Sequence, residues 1–394
     1  MAMKKINLKP DLKLIQHQWG RGLGLATVIG ISLSALNLGA GAMAQRVVAP
    51  WGEGGYNWIG DYNGDGKADV ASALPDGRIV VRRSTGRGFS ITAQPVSTPW
   101  GSRQYSWARD FNNDGRTDLA TAREGNLYLH LSTRTGFETV SIATENRWGE
   151  PGYNWVGDFN GDGFLDIASA LPNGDVVMRL FDGAAIQLET WRVSTPWGGS
   201  EYNWAEDFDG DGVTDLVAAR DSNLYFHRST KTEFETETIV SPGWGESGYN
   251  WAGDFNGDGL MDLASAFRGG AMKLRLFNGS GFDEENWSVS TGWGGAAYSW
   301  ADDFNGDGLT DLASAQEGNI YLHLSNGEQF DSSTVSTPNS WGQGRFNGTG
   351  DFNGDRKADI GAAPPDSSDA IMRLSSGTTF EITNWPTSGY LRPR

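Results

Sequence analysis

The chain has 394 residues, no cysteine, 55 glycines, 17 tryptophans and a formal net charge of −18. The absence of Cys excludes disulfide staples, and the aromatic content excludes a disordered chain. Glycine does not recur at every third position, so collagen is excluded too. The acidic balance opposes nucleic acid and anionic lipid as partners.

In chain order, residues 1–44 differ from the rest. Lys4, Lys5, Lys9, Lys13 and Arg21 form a basic leader, and an apolar stretch runs from about Leu23 to Leu38. Ala42-Met43-Ala44 then precedes Gln45. A charged leader, an apolar segment and a small-residue site describe a secretory signal peptide cut before Gln45. The expectation is a secreted, periplasmic or cell-surface protein with no transmembrane segment after cleavage. Subtracting the leader's net +4 from −18 leaves residues 45–394 near −22.

The first repeat follows. Tyr56 to Gly60 alternates apolar and polar residues and runs into an acidic loop. Asp69 to Ala73 is a small-residue strand, Pro75-Asp76-Gly77 a turn, Arg78 to Arg83 a third strand, and Phe89 to Val96 a fourth. The acidic loop recurs as DYNGDGKAD, DFNNDGRTD, DFNGDGFLD, DFDGDGVTD, DFNGDGLMD, DFNGDGLTD and DFNGDRKAD. These begin at Asp61, Asp110, Asp158, Asp207, Asp254, Asp303 and Asp351, at intervals of 49, 48, 49, 47, 49 and 48 residues. Seven repeats of four short strands, with Gly, Asn and Pro turns and no helical period, predict an all-β fold. The expected architecture is a seven-bladed β-propeller of four antiparallel strands per blade, spanning residues 45–394; an open β-solenoid, which would need shorter rungs, is the alternative.

A longer period overlies the short one. Repeats one, three and five carry WGEGGYNW, WGEPGYNW and WGESGYNW; repeats two, four and six carry WGSRQYSW, WGGSEYNW and WGGAAYSW. The pair is therefore the unit of duplication. Odd repeats place Arg82, Arg179, Arg275 and Arg373 in strand three, where even repeats place His130, His227 and His323. The histidines, which share that register, are read as structural donors bonding a neighbouring blade rather than as zinc ligands or catalytic groups.

The loop pattern D-x-[DN]-x-D-G-x-x-D puts side-chain oxygens at positions 1, 3, 5 and 9. Such hard donors, without His or Cys, select calcium. The first site is Asp61, Asn63, Asp65 and Asp69 with the carbonyl of Lys67. The second is Asp110, Asn112, Asp114 and Asp118, and the third Asp158, Asn160, Asp162 and Asp166. The fourth is Asp207, Asp209, Asp211 and Asp215, and the fifth Asp254, Asn256, Asp258 and Asp262. The sixth is Asp303, Asn305, Asp307 and Asp311, and the seventh Asp351, Asn353, Asp355 and Asp359. Arg356 stands where the seventh loop should have Gly, which weakens that site. Up to seven structural Ca²⁺ are expected, neutralising 22 clustered carboxylates and bringing the mature charge to about −8.

At these residues the chain resembles the FG-GAP/VCBS repeat family, which includes the integrin α-subunit propellers. The resemblance covers residues 47–390, and DFNGDGxxD is its most specific part. It implies an extracellular, calcium-binding propeller used in adhesion or recognition.

Connectivity puts the acidic loops and the turns between strands three and four on one face. The Trp-Gly segments lie on the other, so Trp51, Trp100, Trp148, Trp197, Trp244 and Trp293 are candidate ligand-binding residues. Packing between adjacent blades is the competing role for them. A hydrolase would need a nucleophile with a base, or an open metal site, and no such motif occurs. Glu150, Glu201 and Glu246 are the weak acid candidates. The expected function is non-catalytic binding, by a monomer, of carbohydrate or an extracellular protein. A scaffold for another exported protein, or a hydrolase, are the alternatives.

Overall fold

The seven predicted repeats form seven separate four-stranded antiparallel sheets, each built from contiguous sequence. The structure is a computed structural model and describes residues 46–390. Outside its description lie residues 49, 53–55, 97–99, 103–104, 194–196, 198, 200–201, 246–248, 268–269, 290–292, 294–297, 344 and 366. The leader, residues 1–44, therefore lies outside the described residues, as do Glu201 and Glu246. Among the described residues no helix is long and apolar enough to cross a membrane.

Blade 1 comprises Asn57–Gly60, Asp69–Ala73, Arg78–Ser84 and Phe89–Pro95, within one residue of the expected bounds. Blades 2 to 7 span 106–143, 154–192, 203–240, 250–288, 299–336 and 346–386. The first strands of neighbouring blades touch around the axis, which makes strand one innermost. They enclose a cavity of about 470 Å³ lined by Trp58, Trp107, Arg109, Asn154, Trp155 and Phe346.

Strand two is buried on both faces, because a neighbouring blade covers each side. Its residues are correspondingly small: Asp69-Val70-Ala71-Ser72-Ala73 in blade 1 and Asp262-Leu263-Ala264-Ser265-Ala266 in blade 5. Space between radiating sheets is narrowest near the axis, so volume there must be small. Towards the rim the gap widens and aromatics fill it. Trp191 meets Phe234 of the next blade at 5.0 Å, and Trp287 meets Phe330 at 5.1 Å.

The ring closes without a composite blade. Ser84 Oγ donates to the carbonyl of Phe352, and Ala68 N–H donates to that of Asp351 at 2.7 Å, joining blade 1 to blade 7. Outside the blades, Arg46–Val48 pairs antiparallel with Ser388–Tyr390, tying the two ends of the propeller together.

Candidate functional site

Each acidic loop is folded by its own aspartates. Asp61 accepts the N–H of Gly64 and of Gly66, both at 2.7 Å. Asp65 accepts the N–H of Lys67 at 3.0 Å, and Asp69 accepts that of Ser84 at 2.7 Å. The chain can turn back on the first aspartate only with positive φ, which Gly66 adopts at 82°. Arg356 takes the same place in blade 7 with φ 68°. There the loop keeps its bonds: Gly354 and Arg356 donate to Asp351 at 2.6 and 2.8 Å. The substitution therefore strains the seventh loop without unfolding it.

The loops are also joined to one another. In five of the seven loops the N–H at position 8 donates to the carbonyl of position 1 in the preceding loop, at 2.7 Å for Thr117 to Asp61, Thr214 to Asp158 and Thr310 to Asp254. The aromatic at position 2 is buried beneath its loop and meets the next blade's outer strand. Tyr62 contacts Phe137, Phe159 contacts Phe234, and Phe255 contacts Phe330, each edge-on near 6 Å.

The position-9 aspartates lie at the bottom of the loops. Burial, reinforced by the neighbouring loop carboxylates, pushes Asp69, Asp118, Asp215, Asp262, Asp311 and Asp359 up to about 7. Asp166 rises to about 8. An all-oxygen donor set whose buried member resists ionisation unaided suits a hard divalent cation. The fourth loop carries this furthest: oxygens of Asp207, Asp209 and Asp215 lie within 4.8 Å of one another, and buried Asp215 Oδ2 has no hydrogen-bond partner.

On the opposite face, every Trp of the Trp-Gly segments meets aromatic and basic neighbours inside the molecule. Trp51 stacks on Phe346 of blade 7 at 5.2 Å, and the Arg82 guanidinium lies 3.7 Å from its ring centre. Arg179, Arg275 and Arg373 lie 3.5, 3.6 and 3.9 Å from the centres of Trp148, Trp244 and Trp341. In even blades His130, His227 and His323 take that role against Trp100, Trp197 and Trp293, at 4.8, 4.9 and 4.6 Å. The strand-one Trp of the preceding blade supplies the other contact, as Trp58 does to Trp100 at 5.4 Å and Trp155 to Trp197 at 5.1 Å.

The arginines bond the linker between blades. Arg179 donates to the carbonyls of Glu145 and Arg147, and Arg373 to those of Pro338 and Ser340. The histidines do not. Each Nδ1 bonds a hydroxyl in strand four of its own blade: Thr139, Thr236 or Ser332. The shorter imidazole does not reach the linker. Burial pushes His130 and His323 down to about 4 and His227 to about 3, so all three are neutral.

Even blades differ on this face in one further way. Their strands two and three are joined by two-residue turns with both φ positive: Glu124-Gly125 (52°, 77°), Asp221-Ser222 (51°, 65°) and Glu317-Gly318 (51°, 81°). Odd blades use longer turns, such as 74–77. Beside the short turn of blade 2 lies a trough of about 650 Å³, lined by Tyr56, Trp100, Tyr105, Arg123, Glu124 and Trp148. Arg123 pairs with Glu124 at 3.0 Å. The indole nitrogens of Trp100 and Trp148 are buried, so these residues present apolar ring edges. Tyr56 and Tyr105 brace the wall by donating to the carbonyls of Gly101 and Gly149.

Sequence reading missed Arg123 and Glu124, which look like ordinary turn residues. It also missed Arg109, Glu206 and Asp302, the last residues of strand one in even blades, where all four odd blades have glycine. Burial raises the Glu206 and Asp302 carboxyls; Arg109 opposes the first shift, and a hydrogen bond from Thr349 the second. That alternation was the available signal. Glu150 is exposed, and its carbonyl caps the turn to Tyr153.

The fold and its loops define a seven-bladed propeller built on blade pairs. Residues 110–169, 207–265 and 303–362 match the family model described as FG-GAP-like repeat. Each match runs from an even-blade loop into strand two of the next blade, and the chain is a propeller with FG-GAP-like repeats. No curated protein matches the chain. Among solved structures, it is similar to a Tc holotoxin pore of Photorhabdus luminescens at 15% identity and TM-score 0.50, covering 80% of this chain. The chain spans only 17% of that toxin chain. It is also similar to an Agrocybe aegerita lectin that recognises non-reducing terminal N-acetylglucosamine, at 18% identity and TM-score 0.44. That match covers 84% of this chain and 80% of the lectin. At these identities the likeness is one of fold.

Proposed function

We propose that this protein is an exported, non-catalytic binding propeller. Calcium in the acidic loops holds the blades together, and a carbohydrate or extracellular protein docks on the Trp-Gly face. The observation that carries this reading is the trough of blade 2, where apolar ring edges of Trp100 and Trp148 flank the Arg123–Glu124 pair. Apolar edges beside a few polar groups are the common composition of a ligand site. Aligned residues recur in blade 4 as Trp197, Tyr202, Arg220, Asp221 and Trp244, and in blade 6 as Trp293, Tyr298, Gln316, Glu317 and Trp341. Three such sites on one ring would give avidity for a multivalent surface.

The histidines are buried and stacked, and a pKa held down to about 3–4 makes them weak bases away from any substrate, which favours binding over hydrolysis. The deciding experiment is a glycan array in calcium, with purified extracellular-matrix proteins as a second panel. Binding that is lost in Arg123→Ala and Glu124→Ala supports the assignment. Binding untouched by those changes places the ligand elsewhere, and silence on both panels defeats the reading.

A further inference from the structure

The fourth acidic loop differs from the other six in three linked ways. In those six, the position-9 aspartate accepts the N–H of position 2 through Oδ2: from Tyr62 at 3.2 Å, Phe111 and Phe159 at 3.1 Å, and Phe255, Phe304 and Phe352 at 3.0 Å. In blade 4 Asp215 Oδ2 is buried without a partner, although Asp215 Oδ1 keeps its bond from Ser229 at 2.8 Å. Position 3 is asparagine in the six, and its Nδ2 bonds the position-5 carboxylate in four of them, as in Asn160 to Asp162 at 3.0 Å and Asn305 to Asp307 at 2.8 Å. Asp209 has no such hydrogen to give, so blade 4 brings a fourth carboxylate and loses an internal bond. Finally, Asp209 Oδ2 accepts Arg228 Nε at 2.6 Å. Five of the other blades have leucine at the position of Arg228 (Leu131, Leu180, Leu276, Leu324 and Leu374); blade 1 has Arg83, but its loop carries Asn63 at position 3 and Arg83 Nε makes no hydrogen bond.

We propose that Arg228 is a tethered counter-ion of the fourth loop, which an incoming divalent cation must displace from Asp209. The inference rests on the calcium reading of the loops and adds a competitor to one of them. Four carboxylates with a buried orphan oxygen attract a cation more strongly than three, since site affinity follows ligand charge count. The guanidinium partly answers that demand and holds Asp209 until the ion arrives. Once released, Arg228 still has the ring of Phe226, whose centre lies 5.0 Å from Cζ, to rest against.

The test uses the full mature chain, stripped with EDTA and titrated with CaCl₂. Hydrogen-exchange mass spectrometry reads a separate half-saturation concentration for each loop peptide. In Arg228→Leu the fourth loop should saturate at roughly tenfold lower calcium while the other six are unmoved. In Asp209→Asn its midpoint should rise to that of the asparagine-bearing loops. An unchanged fourth-loop midpoint in Arg228→Leu overturns the proposal. Phenylglyoxal labelling of the unaltered protein provides a second readout: Arg228 should be modified several-fold faster with calcium than without it, and an equal or slower rate also overturns it. If calcium protects the other six loops but never the fourth, only this proposal fails. If it protects none, the calcium reading fails with it.

Discussion

Calcium and protons should compete for the same seven aspartates. Without a bound cation, Asp69 and five of its counterparts are raised from 3.8 to about 7 and Asp166 to about 8, chiefly by burial. A group raised on folding binds its proton more tightly in the native than in the unfolded chain. Stability of the metal-free protein must therefore fall as pH rises from about 4 to about 7, and level off above that. A shift of about three pH units corresponds to roughly 4 kcal/mol for one such group. A few groups of that size rival the roughly 5–15 kcal/mol that stabilises a domain. In EGTA, differential scanning calorimetry should give a clearly higher Tm at pH 5 than at pH 8. Calcium takes the ionised form, so binding must expel the proton. At pH 6, a group with pKa about 7 is roughly nine-tenths protonated, so nearly one proton per site should be released. Calorimetric titration at pH 6 in buffers of different ionisation heat counts those protons directly. An EGTA-treated Tm that is flat or rising between pH 5 and 8, or calcium binding without proton release at pH 6, would refute the linkage.

Three further outcomes are expected. Arg356→Gly should stabilise the protein by about 1 kcal/mol, because glycine adopts the 68° φ without strain; a denaturant midpoint that does not rise contradicts this. Trp51→Ala should lower stability by roughly 3–5 kcal/mol, since the ring packs on Phe346 and on the buried Arg82; urea unfolding measures it, and a loss under 1 kcal/mol would show that the ring is dispensable. Ser84→Ala removes the bond to the Phe352 carbonyl at the seam between blades 7 and 1. It should cost about 1–2 kcal/mol, with faster hydrogen exchange confined to those two blades, whereas uniform exchange would argue that the seam is not a weak point.

How much was legible can be judged residue by residue. Strand bounds in blade 1 were readable because alternation and turn residues are local signals, and Asp69–Ala73 was read to the residue. The loop geometry was readable for the same reason, since Asp61 bonds residues only three and five positions away. The histidines were harder. That they replace arginine was plain from the repeat. Their bonding to Thr139, Thr236 and Ser332, rather than to a linker, depends on side-chain reach across a folded sheet. The trough was not readable at all, because its walls come from three successive blades.

The sequence by itself determined the number of blades, the order of strands within each, the acidic-loop pattern and the two faces of the ring. All of these follow from short-range periodicity and from connectivity. Only the tertiary structure decided what each side chain meets: Trp51 against Phe346, Ser84 against Phe352, and Arg228 against Asp209. The physical reason is the propeller itself. Each sheet is local in sequence, but both its faces are covered by other blades, so side-chain surroundings are set by neighbours a whole repeat away, or at the seam by nearly the full length of the chain.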